Sequence, residues 1–222
     1  MKGHRKNRVF APGCAVMLYK PELAERMHRI LEENLGRMDM WMRCCLKDPG
    51  FAARTEVINI CPGCDRRFRK KYANSTTLSL WEVLAGTEFF PLPDYRGRVM
   101  TIIDACPTRS RTLVHEAVRT LLRKMNIVLK EPAATRTRGK CCGDIYWGEL
   151  PVDQVKEKMK ERAAEMPADD VVVYCVSCAK AMFVGGRRPR HLLDLLFGEE
   201  TVPQTIEPEA WHKLLDAYIE TH

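Results

Sequence analysis

The sequence predicts an α/β fold of two pseudo-repeated halves, each made of alternating strands and helices with largely parallel sheets. Three observations carry that expectation. The ten cysteines form two sets of five in one order, a single cysteine, an adjacent pair, then C-x-x-C: Cys14, Cys44, Cys45, Cys61 and Cys64, followed by Cys106, Cys141, Cys142, Cys175 and Cys178. Behind each C-x-x-C stands a related segment, Ser79-Leu80-Trp81-Glu82-Val83-Leu84-Ala85-Gly86-Thr87-Glu88 and His191-Leu192-Leu193-Asp194-Leu195-Leu196-Phe197-Gly198-Glu199-Glu200, a match independent of cysteine. Short β-branched runs alternate with segments of helical period, the pattern of parallel βαβ units.

The elements follow in order. Residues 99–103 form an apolar run of strand type ending just before Cys106. Leu113, Val114, Ala117, Val118, Leu121, Leu122 and Met125 then recur at helical spacing. A strand-like run at 127–129 precedes a polar loop and the turn Cys141-Cys142-Gly143. Val152, Val155, Met159, Ala163 and Met166 mark a second helix, and 171–175 a third strand. The first half is a shorter version: a run to Cys14, a helix with Leu23, Met27, Ile30 and Leu31 inward, a segment at 41–45 and a strand at 57–60. It lacks the helix between pair and C-x-x-C, since 15 residues separate Cys45 from Cys61 against 32 between Cys142 and Cys175. The Pro-rich segment Phe90-Pro91-Leu92-Pro93-Asp94 is a natural join, giving halves of 1–95 and 96–222.

At 222 residues and 45% hydrophobic content the chain can bury a core without disulfides. No apolar stretch approaches the roughly 20 residues of a membrane helix, so no membrane span is expected. The basic N-terminus lacks a following apolar signal core, and a cytoplasmic location is expected. In that reducing compartment ten cysteines point to metal or redox chemistry. The formal charge of +7 counts thiols as neutral, so metal-bound thiolates would bring the assembled protein towards neutrality. With Phe68 and Tyr72 placed as core and edge residues of a helix, no nucleic-acid partner is expected.

Thiolates are the soft ligands that iron-sulfur clusters and zinc select. C-x-x-C at a strand end lets both sulfurs face one centre while free backbone N–H groups stabilise their charge. An adjacent pair serves one centre only if the chain turns there, as Gly143 permits, or if the centre is large. Five thiolates per half exceed the four of a tetrahedral zinc, which favours multi-iron clusters. Zinc in the shortened first half, or a non-catalytic zinc-binding subunit, is the alternative. Arg66, Arg67, Arg69, Lys70 and Lys71, with Arg109, Arg187, Arg188 and Arg190, would offset an anionic cluster or attract an anionic thiol or disulfide; solvated helix faces would look the same. His115 and His191 are candidate proton donors to a departing thiolate, with packing or capping the plainer role. Trp147 could shield a cluster from water, and Met38, Met40 and Met42 alternate like a strand. No G-x-G-x-x-G motif is present, so electrons would come from a partner iron-sulfur or flavin protein.

These residues resemble the cysteine-rich CCG-domain family. The second half reads C-x34-C-C-G-x31-C-x-x-C, and Asp104-Ala105-Cys106-Pro107-Thr108-Arg109 is similar to the family's segment at its first cysteine, with Ile103 where a histidine often stands. The nearest resemblance is to the catalytic B subunit of heterodisulfide reductases, in which two CCG domains each hold a noncubane four-iron cluster and a disulfide is cleaved between them. It implies an oxidoreductase, or its electron-transfer subunit, with two iron-sulfur clusters. Cys106, Cys141, Cys142, Cys175 and Cys178 would hold one, and Cys14, Cys44, Cys45, Cys61 and Cys64 the other. In the first half Leu46 replaces the glycine after the pair, a departure from the family's pattern.

Overall fold

The computed structural model describes residues 7–51 and 54–222, so most of the basic N-terminus, residues 1–6, lies outside the described residues. The first half comprises β1 (Arg8–Ala11), α1 (Cys14–Tyr19), α2 (Pro21–Leu35), β2 (Asp39–Met40), β3 (Thr55–Asn59), α3 (Pro62–Lys71), β4 (Ser75–Ser79) and α4 (Leu80–Ala85). The second comprises β5 (Val99–Ile102), α5 (Thr112–Lys124), β6 (Val128–Lys130), α6 (Val152–Ala164), β7 (Asp170–Val173), α7 (Val176–Val184), β8 (Arg188–His191) and α8 (Leu192–Phe197), followed by α9 (Pro208–Thr221). Each half forms a four-stranded, wholly parallel sheet, and the orders correspond: β2-β1-β3-β4 and β6-β5-β7-β8. The fold is therefore α/β in two repeated halves, as the cysteine order and the strand-helix alternation predict.

Local chemistry explains the elements. All four residues of β7 are buried, as befits a parallel strand covered on both faces. Pro21 opens α2 in its first turn, and Leu23, Ala24, Met27 and Leu31 recur on its inward face. The segment repeated behind each C-x-x-C is one structural unit, a helix capped at the carboxyl end of the fourth strand. Ser79 and Glu82 make a reciprocal capping box on α4, while His191 Nδ1 accepts the Leu193 N–H at 3.3 Å on α8. α6 has no counterpart between β2 and β3 among the described residues.

One apolar core runs through both halves, joining Phe10, Leu23, Met27 and Trp81 to Met100, Leu121, Val172 and Leu195. α4 packs on α5 and α2 on α8. Polar contacts fix the register of the halves: Tyr19 Oη donates to Asp194 at 2.6 Å, Lys20 reaches the same carboxylate at 3.0 Å, and Arg111 pairs with Glu82 at 2.9 Å.

Candidate functional site

In both sheets the connections leave in opposite directions from the two central strands, β1 and β3 or β5 and β7. The crevice outside the carboxyl ends of such strands is where open α/β sheets hold ligands. Cys14 and Cys61 follow β1 and β3, and Cys106 and Cys175 follow β5 and β7. Cys61 and Cys175 are the N-cap residues of α3 and α7. Backbone N–H groups at the start of α3, of Gly63 and Cys64, accordingly help to lower the Cys61 thiol. The pairs Cys44-Cys45 and Cys141-Cys142 enter on the loops after β2 and β6.

Within each half the thiols perturb one another's ionisation in succession. In the first it runs Cys14, Cys44, Cys45, Cys64, Cys61, and in the second Cys106, Cys141, Cys142, Cys178, Cys175. The two orders are equivalent position by position. All ten cysteines are free, and all ten line a single cavity of about 560 Å³. Reciprocal packing brings the sets face to face: α1, which Cys14 opens, lies against α7, while the 3-10 turn Cys106–Thr108 lies against α3. Each half thus rests its single-cysteine turn on the C-x-x-C helix of the other.

Neighbouring thiols shift one another's pKa, so they do not ionise independently. Burial pushes Cys14 up to about 12, and the neighbouring Cys61, Cys44 and Cys45 add to the shift. The neighbouring Cys106 and Cys142 thiols and the N–H groups of Gly143 and Ile145 hold Cys141 low against the effect of burial, while Cys141 and burial push Cys106 up. Cys61 is lowered by the Cys64 thiol and by the N–H groups of α3. Such an array gains most from a cationic centre that lets many thiolates coexist. Among the described residues no three His, Cys, Asp or Glu side chains are grouped as ligands of one metal ion. The thiols line the cavity wall as two sets of five soft sulfur donors.

Two glycines allow the close approaches. A β-carbon at Gly13 (φ 88°) would lie 2.8 Å from Cys61 Cβ and 3.0 Å from Cys64 Sγ. At Gly143 (φ 112°) it would lie 2.8 Å from the Met159 backbone nitrogen of α6. With no described helix at the α6 position of the first half, Leu46 can stand where the second half needs glycine, and it is exposed. Asp104 anchors the Cys106 turn from behind. It accepts both Arg119 Nη groups at 2.8 Å, Tyr174 Oη at 3.0 Å, Thr135 Oγ1 at 2.9 Å and the Arg136 N–H at 2.7 Å, tying β5 and α5 to the loop that carries Cys141.

The basic residues read from the sequence divide. Arg66, Arg67, Lys70 and Lys71 line the cavity, whereas Arg69 turns to Asp65 at 2.9 Å. Arg187, Arg188 and Arg190 are not at the site. Parallel register sets the start of β8 beside the start of β7, so they pair with Asp169 and Asp170 at the sheet edge opposite the thiols. Arg109 Nε donates to the Gly139 carbonyl at 2.7 Å. Neither candidate histidine reaches the cavity. His115 is buried against Thr108 Oγ1 at 3.1 Å, and His191 caps α8, with burial lowering it to about 4. Trp147 stacks on His212 at 4.8 Å instead of covering the thiols, and Ile145 lines the wall in its place.

The largest contribution missing from the sequence reading is α9. Its Leu215 and Ile219 form part of the cavity wall. Trp211 Nε1 donates to Ser177 Oγ at 3.2 Å, Lys180 Nζ sits 4.2 Å from the Trp211 ring centre, and the Cys44 N–H donates to the His222 carbonyl at 3.3 Å. The signal was present as Pro208 at a first turn followed by Trp211, Leu215, Tyr218 and Ile219 at intervals of three and four. Among the described residues no helix is long and apolar enough to cross a membrane. Compared with protein-family models and with curated proteins, the chain matches none.

Proposed function

We propose that the chain is an iron-sulfur redox protein of the CCG-domain type, whose ten cysteines hold two multi-iron clusters in one cavity where a disulfide is reduced or electrons are relayed. The observation that supports this best is the placement of all ten free thiols on one cavity in two equivalent strings. Five sulfurs per string exceed what one zinc takes, and adjacent-pair thiols such as Cys141 and Cys142 both join the string.

Bound there, the clusters would supply one-electron chemistry. The chain's own residues do the rest. The Asp104 network and Gly13 hold the cysteine turns in place, and Leu215, Ile219 and Ile145 give part of the wall an apolar surface. Arg66, Arg67, Lys70 and Lys71 raise the local positive potential. Reduction of R–S–S–R′ consumes two electrons and two protons and releases two thiols. The electrons would come from a partner iron-sulfur or flavin subunit.

The test is iron, zinc and acid-labile sulfide analysis of anaerobically purified protein. Iron and sulfide in comparable amounts are expected; stoichiometric zinc without sulfide would overturn the proposal. Titration of the reduced protein with small disulfides under electron paramagnetic resonance separates the two activities. Thiol-dependent change in the signals marks a reductase, and fast exchange with a redox partner without any thiol effect marks a relay.

A further inference from the structure

Helix α9 starts on the second half and ends on the first. Its start is firmly held: Trp211 is 2% exposed, its Nε1 donates to Ser177 Oγ at 3.2 Å, and the Lys180 ammonium lies 4.2 Å from the ring centre. His212 adds a contact with Asp144 at 3.1 Å and a stack on Trp147. Further along, α9 packs on α1, which Cys14 opens, and the Cys44 N–H donates to the His222 carbonyl at 3.3 Å. Burial and the nearby Cys14 and Cys44 push the Tyr218 hydroxyl up, which places this stretch beside the first half's sulfurs. The first half has no counterpart, since among the described residues no helix stands between α4 and β5.

The two ends are held unequally. Trp211, Leu215, Tyr218 and Ile219 recur at the spacing of one helix face, yet no residue after Trp211 is buried, although Leu215 and Ile219 line the cavity. The polar ties from the far end to the first half are the Cys44 contact and an exposed bond from Lys47 Nζ to the Glu220 carbonyl at 3.2 Å. Tyr218 Oη is buried with no hydrogen-bond partner among the described residues. In the packed position that hydroxyl goes unsatisfied, and water would satisfy it if the helix end moved out. Short helical stretches without tertiary packing are marginal, and segments with few buried contacts are the first to open.

We infer that the end of α9, residues 214–221, is a gate on the cavity: it lifts away from the Cys14 and Cys44 side while Trp211 stays in place as the hinge post, and so opens the wall that Leu215 and Ile219 form. The structure shows the gate closed. It controls the side from which a ligand reaches the sulfurs, and it does not depend on what the sulfurs hold.

The experiment is hydrogen exchange of the anaerobically purified full chain, read by mass spectrometry, with access to the sulfurs measured on the same samples. Amides of 214–221 should exchange about tenfold faster than those of 211–213. Tyr218→Phe deletes the unpartnered hydroxyl and keeps the ring, so it should slow the distal exchange about fivefold. Leu215→Ala with Ile219→Ala should quicken it about tenfold and leave 211–213 unchanged. Labelling of free thiols by N-ethylmaleimide, and in cluster-bearing protein the transfer of iron to ferrozine, should slow and quicken in the same order. Arg29→Gln, on the exposed face of α2, should alter neither exchange nor access. Equal exchange along α9 in the parent, no slowing in Tyr218→Phe, or access that does not follow the exchange overturns the inference. Iron, zinc and sulfide analysis separates the two readings. Zinc without sulfide, with access still following α9, keeps the gate and loses the clusters; iron and sulfide with access indifferent to α9 does the reverse.

Discussion

Replacing Asp104 by Asn should cost about 3 kcal/mol of folding stability and loosen the second thiol string. Asp104 is 2% exposed and receives five hydrogen bonds, two of them from Arg119, which is 3% exposed. Asn keeps the shape but has one acceptor oxygen, and its amide would face donors that the carboxylate now satisfies. Breaking a buried pair costs roughly 3–5 kcal/mol, and the low end applies because Glu131 retains Arg119 through two contacts of 2.8 Å. Urea unfolding of the reduced protein at neutral pH measures the loss. The carboxylate also predicts an acid limb. Although burial alone would raise it, Arg119 and the Arg136 N–H hold the carboxyl well below the usual range. A depressed group stabilises the fold fully above its unfolded value and loses that contribution as pH falls below about 4. The gap between parent and Asp104→Asn should therefore narrow towards acid. A loss under about 1 kcal/mol at neutral pH, or a gap that stays constant down to pH 3, would refute the reasoning.

Other consequences can be checked alongside. Gly143→Ala should lower stability by about 2 kcal/mol, because its β-carbon meets the α6 backbone at positive φ, while Leu46→Ala should stay within about 0.5 kcal/mol; thermal melts compare them. Cys142→Ala and Cys178→Ala should each reduce bound iron and the melting temperature, and a variant with full iron and an unchanged melt would remove that cysteine from the ligand set. Trp211→Ala should cost about 3 kcal/mol and expose α9 amides to hydrogen exchange while β7 stays protected. Equal protection of α9 in both proteins would show that Trp211 does not anchor the helix.

What the sequence made legible follows from how each feature is encoded. Period and repetition are local, so α2, α5, α6 and the strands at 55–59 and 170–173 could be read from apolar spacing, and the cysteine order exposed the duplication. The fourth strands were hidden because β4 is Ser-Thr-Thr-Leu-Ser and β8 is Arg-Pro-Arg-His, edge strands without an apolar run. The destination of a long side chain was equally hidden. Arg67 and Arg187 both lie soon after a C-x-x-C, yet only the former faces the cavity, because the latter is drawn to Asp169 across the amino edge of the sheet. The reach of α9 into the site depends on packing between residues far apart in sequence, such as Trp211 and Ser177.

The repeated and unrepeated parts of the molecule divide along functional lines. Strand order, thiol succession and the reciprocal seating of each single-cysteine turn on the other half's C-x-x-C helix occur twice. A single half would set its thiols at an open sheet edge; the second half closes the other side, which is why the core is continuous and neither string is walled by its own half alone. The features that occur once are the α3 cations, α6 with the glycine it requires, and α9. Two of the three border the space between the strings, and α6 fixes the turn that holds Cys142 through Gly143. Divergence between the two halves has thus left the placement of the thiols in common and changed what surrounds it.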